Sequence, residues 1–147
     1  EAQLERARQM IVAIGLAIVL FGLSGLLHAR AMAFTMNYTN RHNLVGTRGL
    51  LVALYILATA HVVEAGIFAV GFLLAEWAGL GGFVQDDVDT VMEVFYFSLV
   101  NYTSLGLGDI YPIGHLRFLA GIESLNGFLL ISCSASMLFL VTTRKNQ

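Results

Sequence analysis

Hydrophobic residues dominate three long stretches of the chain, each with the roughly 20 apolar positions a bilayer crossing needs. They run from about Met10 to Ala29, from about Gly49 to Trp77, and from about Leu116 to Thr143. In the first, Gly15, Ile18, Gly22, Gly25 and Ala29 recur by alternating threes and fours. Such a small-residue stripe is expected to let another helix approach closely. The second carries His61 and Glu64 near its middle, on one helical face with Leu57, Phe68 and Gly71. The third is apolar apart from Arg117, Glu123, Asn126 and scattered serines. Between the second and third lies a segment too short to span, Val88 to Tyr102, preceded by the acids Asp86, Asp87 and Asp89. Acids favour the positive end of a helix dipole, so Asp86 or Asp87 is the expected helix start. That helix aims its C-terminal end at the glycine-rich loop "TSLGLGD", Thr103 to Asp109. The expectation is a re-entrant helix and loop that enter and leave on one face. Irregular backbone at membrane depth persists only when buried in protein or lining a wet cavity.

Composition strengthens the membrane reading. Of 147 residues, 57% are hydrophobic and only 12% charged, and the mean hydropathy is +0.75. A soluble domain of this length could not hide that much apolar surface. A net charge of −2 implies no nucleic-acid partner. The one cysteine, Cys133, excludes an internal disulfide and is expected to pack as a small hydrophobe. The start at Glu1 rather than Met is read as a native N-terminus that is either trimmed or lies further upstream.

Charge also assigns the faces. Arg30, Arg41 and Arg48 in the first connection, with Arg144 and Lys145 in the tail, read as cytoplasmic. Glu76, Asp86, Asp87, Asp89, Glu93 and Asp109 then lie outside, with Trp77 and Tyr111 as aromatic anchors at the outer interface. Residues 1–147 are taken as a single membrane domain in the lipid bilayer, with no cytosolic regulatory domain in this chain.

The loop admits three chemistries. A phosphate loop wants glycines opening a helix after a strand, usually with a lysine, and here the glycines follow a helix with no lysine near. "GLGD" resembles the motif of intramembrane aspartyl proteases such as presenilin and the prepilin peptidases. That chemistry needs a second carboxylate sharing a proton with Asp109. Neither of the first two crossings carries an aspartate, and Glu64 is too deep to meet the outer rim. The third chemistry is ion conduction, and the chain is not expected to be an enzyme.

The stretch "YFSLVNYTSLGLGDIYP", Tyr96 to Pro112, closely resembles the pore region of potassium channels. With "ESLNG" in the inner helix it is also similar to small bacterial ion-channel-family proteins with one extra N-terminal helix. The resemblance covers about Gly49 to Leu140. It implies an all-α membrane protein: three transmembrane helices, a re-entrant pore helix and a selectivity-filter loop, assembled as a homotetramer. The implied pieces are an extra helix over 10–29 and a pore module over 49–143, with pore helix 86–103 and filter 104–109.

Ser104, Leu105, Gly106, Leu107 and Gly108 match the filter, Asp109 the acid at the pore mouth, and Gly127 the gating hinge of the inner helix. K+ would be the transported ion, held at Ser104 to Leu107, with no cofactor. A ring of backbone carbonyls replaces the ion's water, and glycine at 106 and 108 permits the backbone this needs. Leu107 stands where the family has a tyrosine whose hydroxyl braces the filter, and Ser104 where it has threonine. A weakly selective cation channel is therefore the alternative within the class. A membrane metal or proton sensor using His61, Glu64 and His28 is the alternative outside it.

Glu123 and Asn126 are read as pore-helix anchors or cavity residues, with anchoring favoured for Glu123. Ser124, Phe128, Ile131 and Ala135 are the expected cavity-facing stripe. Arg117 reads as an interface anchor or the partner of a rim carboxylate. His28 is expected to snorkel to headgroups near Arg30, and His42 and His115 to be solvated near the interfaces. His61 and Glu64 are read first as helix glue and second as a proton sensor. Localisation is expected in the cell membrane, with the filter outside and the C-terminus cytoplasmic.

Overall fold

The computed structural model describes residues 1–84 and 90–143. The elements run α1 (Ala2–Arg41), α2 (Gly46–Trp77), β1 (Gly81–Val84), α3 (Val91–Tyr102), β2 (Tyr111–Gly114) and α4 (Leu116–Thr143). Helices α1, α2 and α4 are each long and apolar enough to cross a membrane. At about 1.5 Å per residue, the 40 residues of α1 exceed the bilayer core by far. The first connection is correspondingly shorter than expected. Arg30 and Arg41 lie within α1, Arg48 lies in the first turn of α2, and only residues 42–45 join the helices.

The three long helices pack in layers along their length. At the end nearer β1 and β2, Ala13, Ala17 and Leu20 of α1 meet Phe68, Phe72 and Ala75 of α2, with Leu116, Leu119 and Ala120 of α4. At the opposite end Ala53 and Leu57 pack on Met137 and Val141, flanked by Met32 and Met36. Between these apolar layers lies a buried polar one: Ser24, His28, Glu64, Ser98, Glu123, Asn126 and Ser134.

Two expectations are corrected here. Gly15, Ile18, Gly22 and Ala29 are exposed in the chain and Gly25 is half-buried, so the small-residue stripe faces away from α2. A Cβ added at Gly15, Gly22 or Gly25 would meet nothing. The packing face is instead Ala13, Ala17, Leu20, Ser24 and His28. Close approach is provided by Gly71 of α2, where a Cβ would collide with the Leu20 side chain. Cys133, expected to be packed, is exposed on α4.

The short α3 begins at Val91, with Thr90 as N-cap in a capping box. The Thr90 hydroxyl accepts from the Glu93 amide at 3.3 Å, and the Glu93 carboxylate accepts from the Thr90 amide at 2.9 Å. This box satisfies amides that the helix start would otherwise orphan. The start expected at Asp86 or Asp87, and Asp89 with it, lie outside the described residues, as do Arg144 and Lys145.

A two-stranded ribbon clamps the ends of the re-entrant segment, which the sequence did not announce. β1 and β2 pair antiparallel from Gly81 opposite Gly114 to Val84 opposite Tyr111. The His115 amide then donates to the Leu80 carbonyl at 2.8 Å. Phe83 of β1 joins Phe72 and Phe97 in edge-on contacts that tie the ribbon to α2 and α3.

Helix α4 continues through Gly127, where a Cβ would run into the Tyr102 carbonyl at the end of α3. Glycine here provides room for close approach between α3 and α4. Gly127→Ala should therefore cost about 1–3 kcal/mol through overpacking, read as a lower denaturation midpoint in detergent. Gly22→Ala, which meets open space, should be neutral or stabilising. Equal effects from the two substitutions would contradict the packing described.

Candidate functional site: the pore helix and its loop

The loop after α3 has an alternating backbone. Ser104, Gly106 and Gly108 lie at φ +58, +56 and +75. Left-handed residues at every second position reorient successive peptide planes so that carbonyls between them can face one side. Glycine tolerates this freely, and Ser104 does so at a steric cost. Sequence alone anticipated this at the two glycines, not at Ser104. Residues Thr103 through Asp109 are exposed in the single chain, Leu105 at 65% and Leu107 at 58%. A small cavity of about 30 Å³ lies behind the loop, lined by Phe97, Val100, Asn101, Leu107 and Ile110 among others.

Polar ties hold α3 in place. Glu123 of α4 is fully buried and accepts from the Ser98 hydroxyl and from the Asn101 amide group at 2.6 Å. Asn101 also donates to the Ala120 carbonyl at 2.8 Å, and Ser98 approaches the Ala65 carbonyl of α2 at 2.6 Å. Glu123 is thus bonded to α3. Ser124, expected in the cavity stripe, instead hydrogen-bonds the Asn101 backbone and side-chain oxygens at 3.0 and 3.1 Å. Asn126 binds neither cavity nor α3. It donates to Ser24 of α1 at 2.7 Å, which corrects that expectation. Phe128, Ile131 and Ala135 are exposed on α4.

At the rim, the Tyr96 hydroxyl donates to Asp109 at 2.8 Å and so links α3 to the residue after the filter match. That hydrogen bond, with the carboxylate's charge, raises the Tyr96 hydroxyl above the ordinary tyrosine value. Asp109 also accepts from the Ile110 amide at 3.1 Å.

Below the loop, Tyr102 is fully buried and donates to Glu64 of α2. Glu64 is itself completely buried and accepts two imidazoles, His28 Nδ1 at 3.0 Å and His61 Nδ1 at 3.1 Å. Ser134 of α4 lies 2.9 Å from His61 Nε2 and 3.4 Å from His28 Nε2. His28 is 2% exposed, so the snorkelling expectation fails: it faces the bundle and completes the group around Glu64. Sequence reasoning singled out His61 and Glu64 but missed Tyr102 and Ser134. It also missed Ser98 and Asn101. A signal existed, because Ser98, Asn101 and Tyr102 share one face of α3 by their three- and four-residue spacing.

Three long apolar helices and a short, half-buried helix ending in a left-handed, alternating loop define a membrane protein of the pore-loop class. A family model described as ion channel matches residues 52–144. The chain belongs to that ion-channel family, whose function is passive ion conduction. Neither the curated proteins nor the solved structures offer a match to the chain. The matched range includes α3, the loop and α4 but begins after α1 has ended.

The Tyr96 tie yields a prediction with a defined sign. A hydroxyl whose folded pKa is raised keeps its bond fully below the unfolded value of about 10 and loses it as pH rises through the folded value. Ion flux through the native protein should change on that alkaline side. Tyr96→Phe should show the changed flux already at neutral pH, with no further alkaline step. Ion flux compared across pH for the two proteins checks this.

Proposed function

We propose that four copies of the chain surround an axis and conduct potassium through the backbone carbonyls of Ser104, Leu105, Gly106, Leu107 and Gly108. The alternating positive φ at 104, 106 and 108 is the observation that carries this reading. One loop cannot encircle an ion, and seven consecutive exposed residues at membrane depth need enclosure. Closed cyclic symmetry supplies both. Helix α3 aims its C-terminal, partially negative end at the loop and so favours a cation. Asp109 concentrates cations at the mouth. Phe128, Ile131 and Ala135 line the cavity below, and Gly127 combines close packing with any bending of the inner helix. The positive-inside bias orients the loop outward and the C-terminus to the cytoplasm of a cell membrane.

Selectivity depends on how stiffly the loop is held. Leu107 offers no hydroxyl, and the small cavity behind the loop leaves room beside it. The Tyr96–Asp109 bond supplies a brace from a different position. A weakly selective cation path is the reading to which loss of that brace would lead.

Reconstituted vesicles with matched potassium and sodium gradients test the proposal. Native protein should pass potassium well above sodium, and Gly106→Ala should abolish flux, because a side chain at φ +56 is strained. Leu107→Tyr should preserve flux and sharpen potassium over sodium, and Asp109→Asn should reduce flux without eliminating it. A folded protein that stays monomeric in mild detergent and in vesicles would overturn the assembly.

A further inference from the structure

The conduction reading leaves the group beneath the pore helix without a role beyond packing. His28 of α1, with His61 and Glu64 of α2, each offer one ligand atom within 4.8 Å of the others. We propose that these three residues form an intramembrane site for a divalent transition-metal ion, with zinc as the type, and that the site positions Tyr102 at the end of the pore helix.

The donor set is that of a metal rather than of simple glue. Two imidazole nitrogens converge on one carboxylate, His61 from Glu64's own helix and His28 from 36 residues away in α1. Imidazole and carboxylate suit zinc and its first-row neighbours. Metal–ligand bonds near 2.0–2.1 Å in a tetrahedral site place ligands about 3.3 Å apart. The Glu64 oxygens already lie 3.0 and 3.1 Å from the two Nδ1 atoms, so modest side-chain adjustment admits an ion. A water would complete the coordination, and the Tyr102 hydroxyl, 2.9 Å from His61 Nδ1, lies beside the ligand set without belonging to it.

Hydrogen counting points the same way. With Glu64 ionised and both histidines neutral as Nδ1–H donors, their two Nε2 atoms need donors, and both face the single Ser134 hydroxyl. Ser134 has one hydrogen for two acceptors, so the network is one hydrogen short. With a metal on the Nδ1 atoms, each Nε2 carries its hydrogen. Ser134 then accepts from both through its two lone pairs, the outer partner that a metal-bound histidine ordinarily has. Charge agrees as well. Glu64 is fully buried, and the arginine nearest to this layer in sequence, Arg30, is exposed. A lone carboxylate at membrane depth is costly, and a divalent ion offsets it.

Tyr102 touches the ligand set at both His61 Nδ1 and Glu64, and it lies two residues before Ser104. Metal occupancy is thereby transmitted to the base of the loop. This second part rests on the conduction reading; the binding site does not.

The full chain, purified in detergent and stripped with a chelator, is titrated with Co2+ while its visible d–d absorption is followed. The native protein should take up one Co2+ per chain, and Zn2+ should displace it. His28→Ala, His61→Ala and Glu64→Gln should each weaken binding at least tenfold, and Glu64→Asp should recover part of it. Metal should raise the melting temperature of the native protein and not that of Glu64→Gln. Native protein that binds no Co2+, or binds it as Glu64→Gln does, overturns the site and leaves a shared proton closing the network. Potassium flux of vesicles with and without Zn2+ then reads the coupling. Native flux should change several-fold and Tyr102→Phe, still binding Co2+, should not respond. Equal responses from both overturn the coupling. Absence of flux in every form defeats the conduction reading, while the Co2+ stoichiometry still decides the site.

Discussion

A carboxylate with no exposure to solvent, set in the middle of an apolar helix, constrains everything around it. Glu64 carries three partners, His28, His61 and Tyr102, from three helices. Ser134 reaches the same histidines from the fourth. Removing any partner leaves polar atoms buried where no water replaces them, which is expensive in lipid. The helices therefore cannot slide or rotate independently. Apolar packing above and below supplies contact area, but such contacts tolerate small shifts in register. The polar layer does not, because hydrogen bonds fail within a few tenths of an ångström.

The pore helix shows what this rigidity is for. α3 is only 12 residues long, too short to be stable alone. It is capped at its start by Thr90 and Glu93 and held along one face by Glu123 through Ser98 and Asn101. Its last residue is fixed by Glu64. The ribbon of β1 and β2 then fastens the two ends of the excursion to each other. With Tyr96 holding Asp109, the left-handed loop is supported from its entry to its exit.

Much of this fold was legible in the sequence, and the reasons for success and failure differ by scale. Crossings and the re-entrant segment follow from the lengths of apolar runs, and α4 has the bounds expected of it. The ribbon was invisible because four-residue strands rich in glycine, with Pro112 among them, carry no alternating pattern. Partners are harder still. Glu123 meets α3, and its place relative to the loop restricts its reach. Asn126, one turn away, meets α1 instead, since which neighbour a helix face meets depends on crossing geometry rather than spacing. The glycines of α1 misled for the same reason. Small residues permit close approach without saying which helix approaches, and here Gly71 on the partner accepts Leu20 instead.

The position of α1 follows from the polar layer rather than from its own composition. In α2, Glu64 meets Tyr102 of α3, but without α1 it would lose its His28 partner, and an incompletely paired carboxylate at membrane depth is costly. α1 covers it, and does so with chemistry matched to depth. Ser24 meets Asn126, and His28 meets Glu64 one turn further along. Alanines and Leu20 cover the apolar layer nearer the ribbon. The family match excludes α1, yet the matched segment contains a carboxylate that α1 completes. The extra helix is therefore a structural requirement of this pore module: a chain with Glu64 and Asn126 at these places needs His28 and Ser24 opposite them.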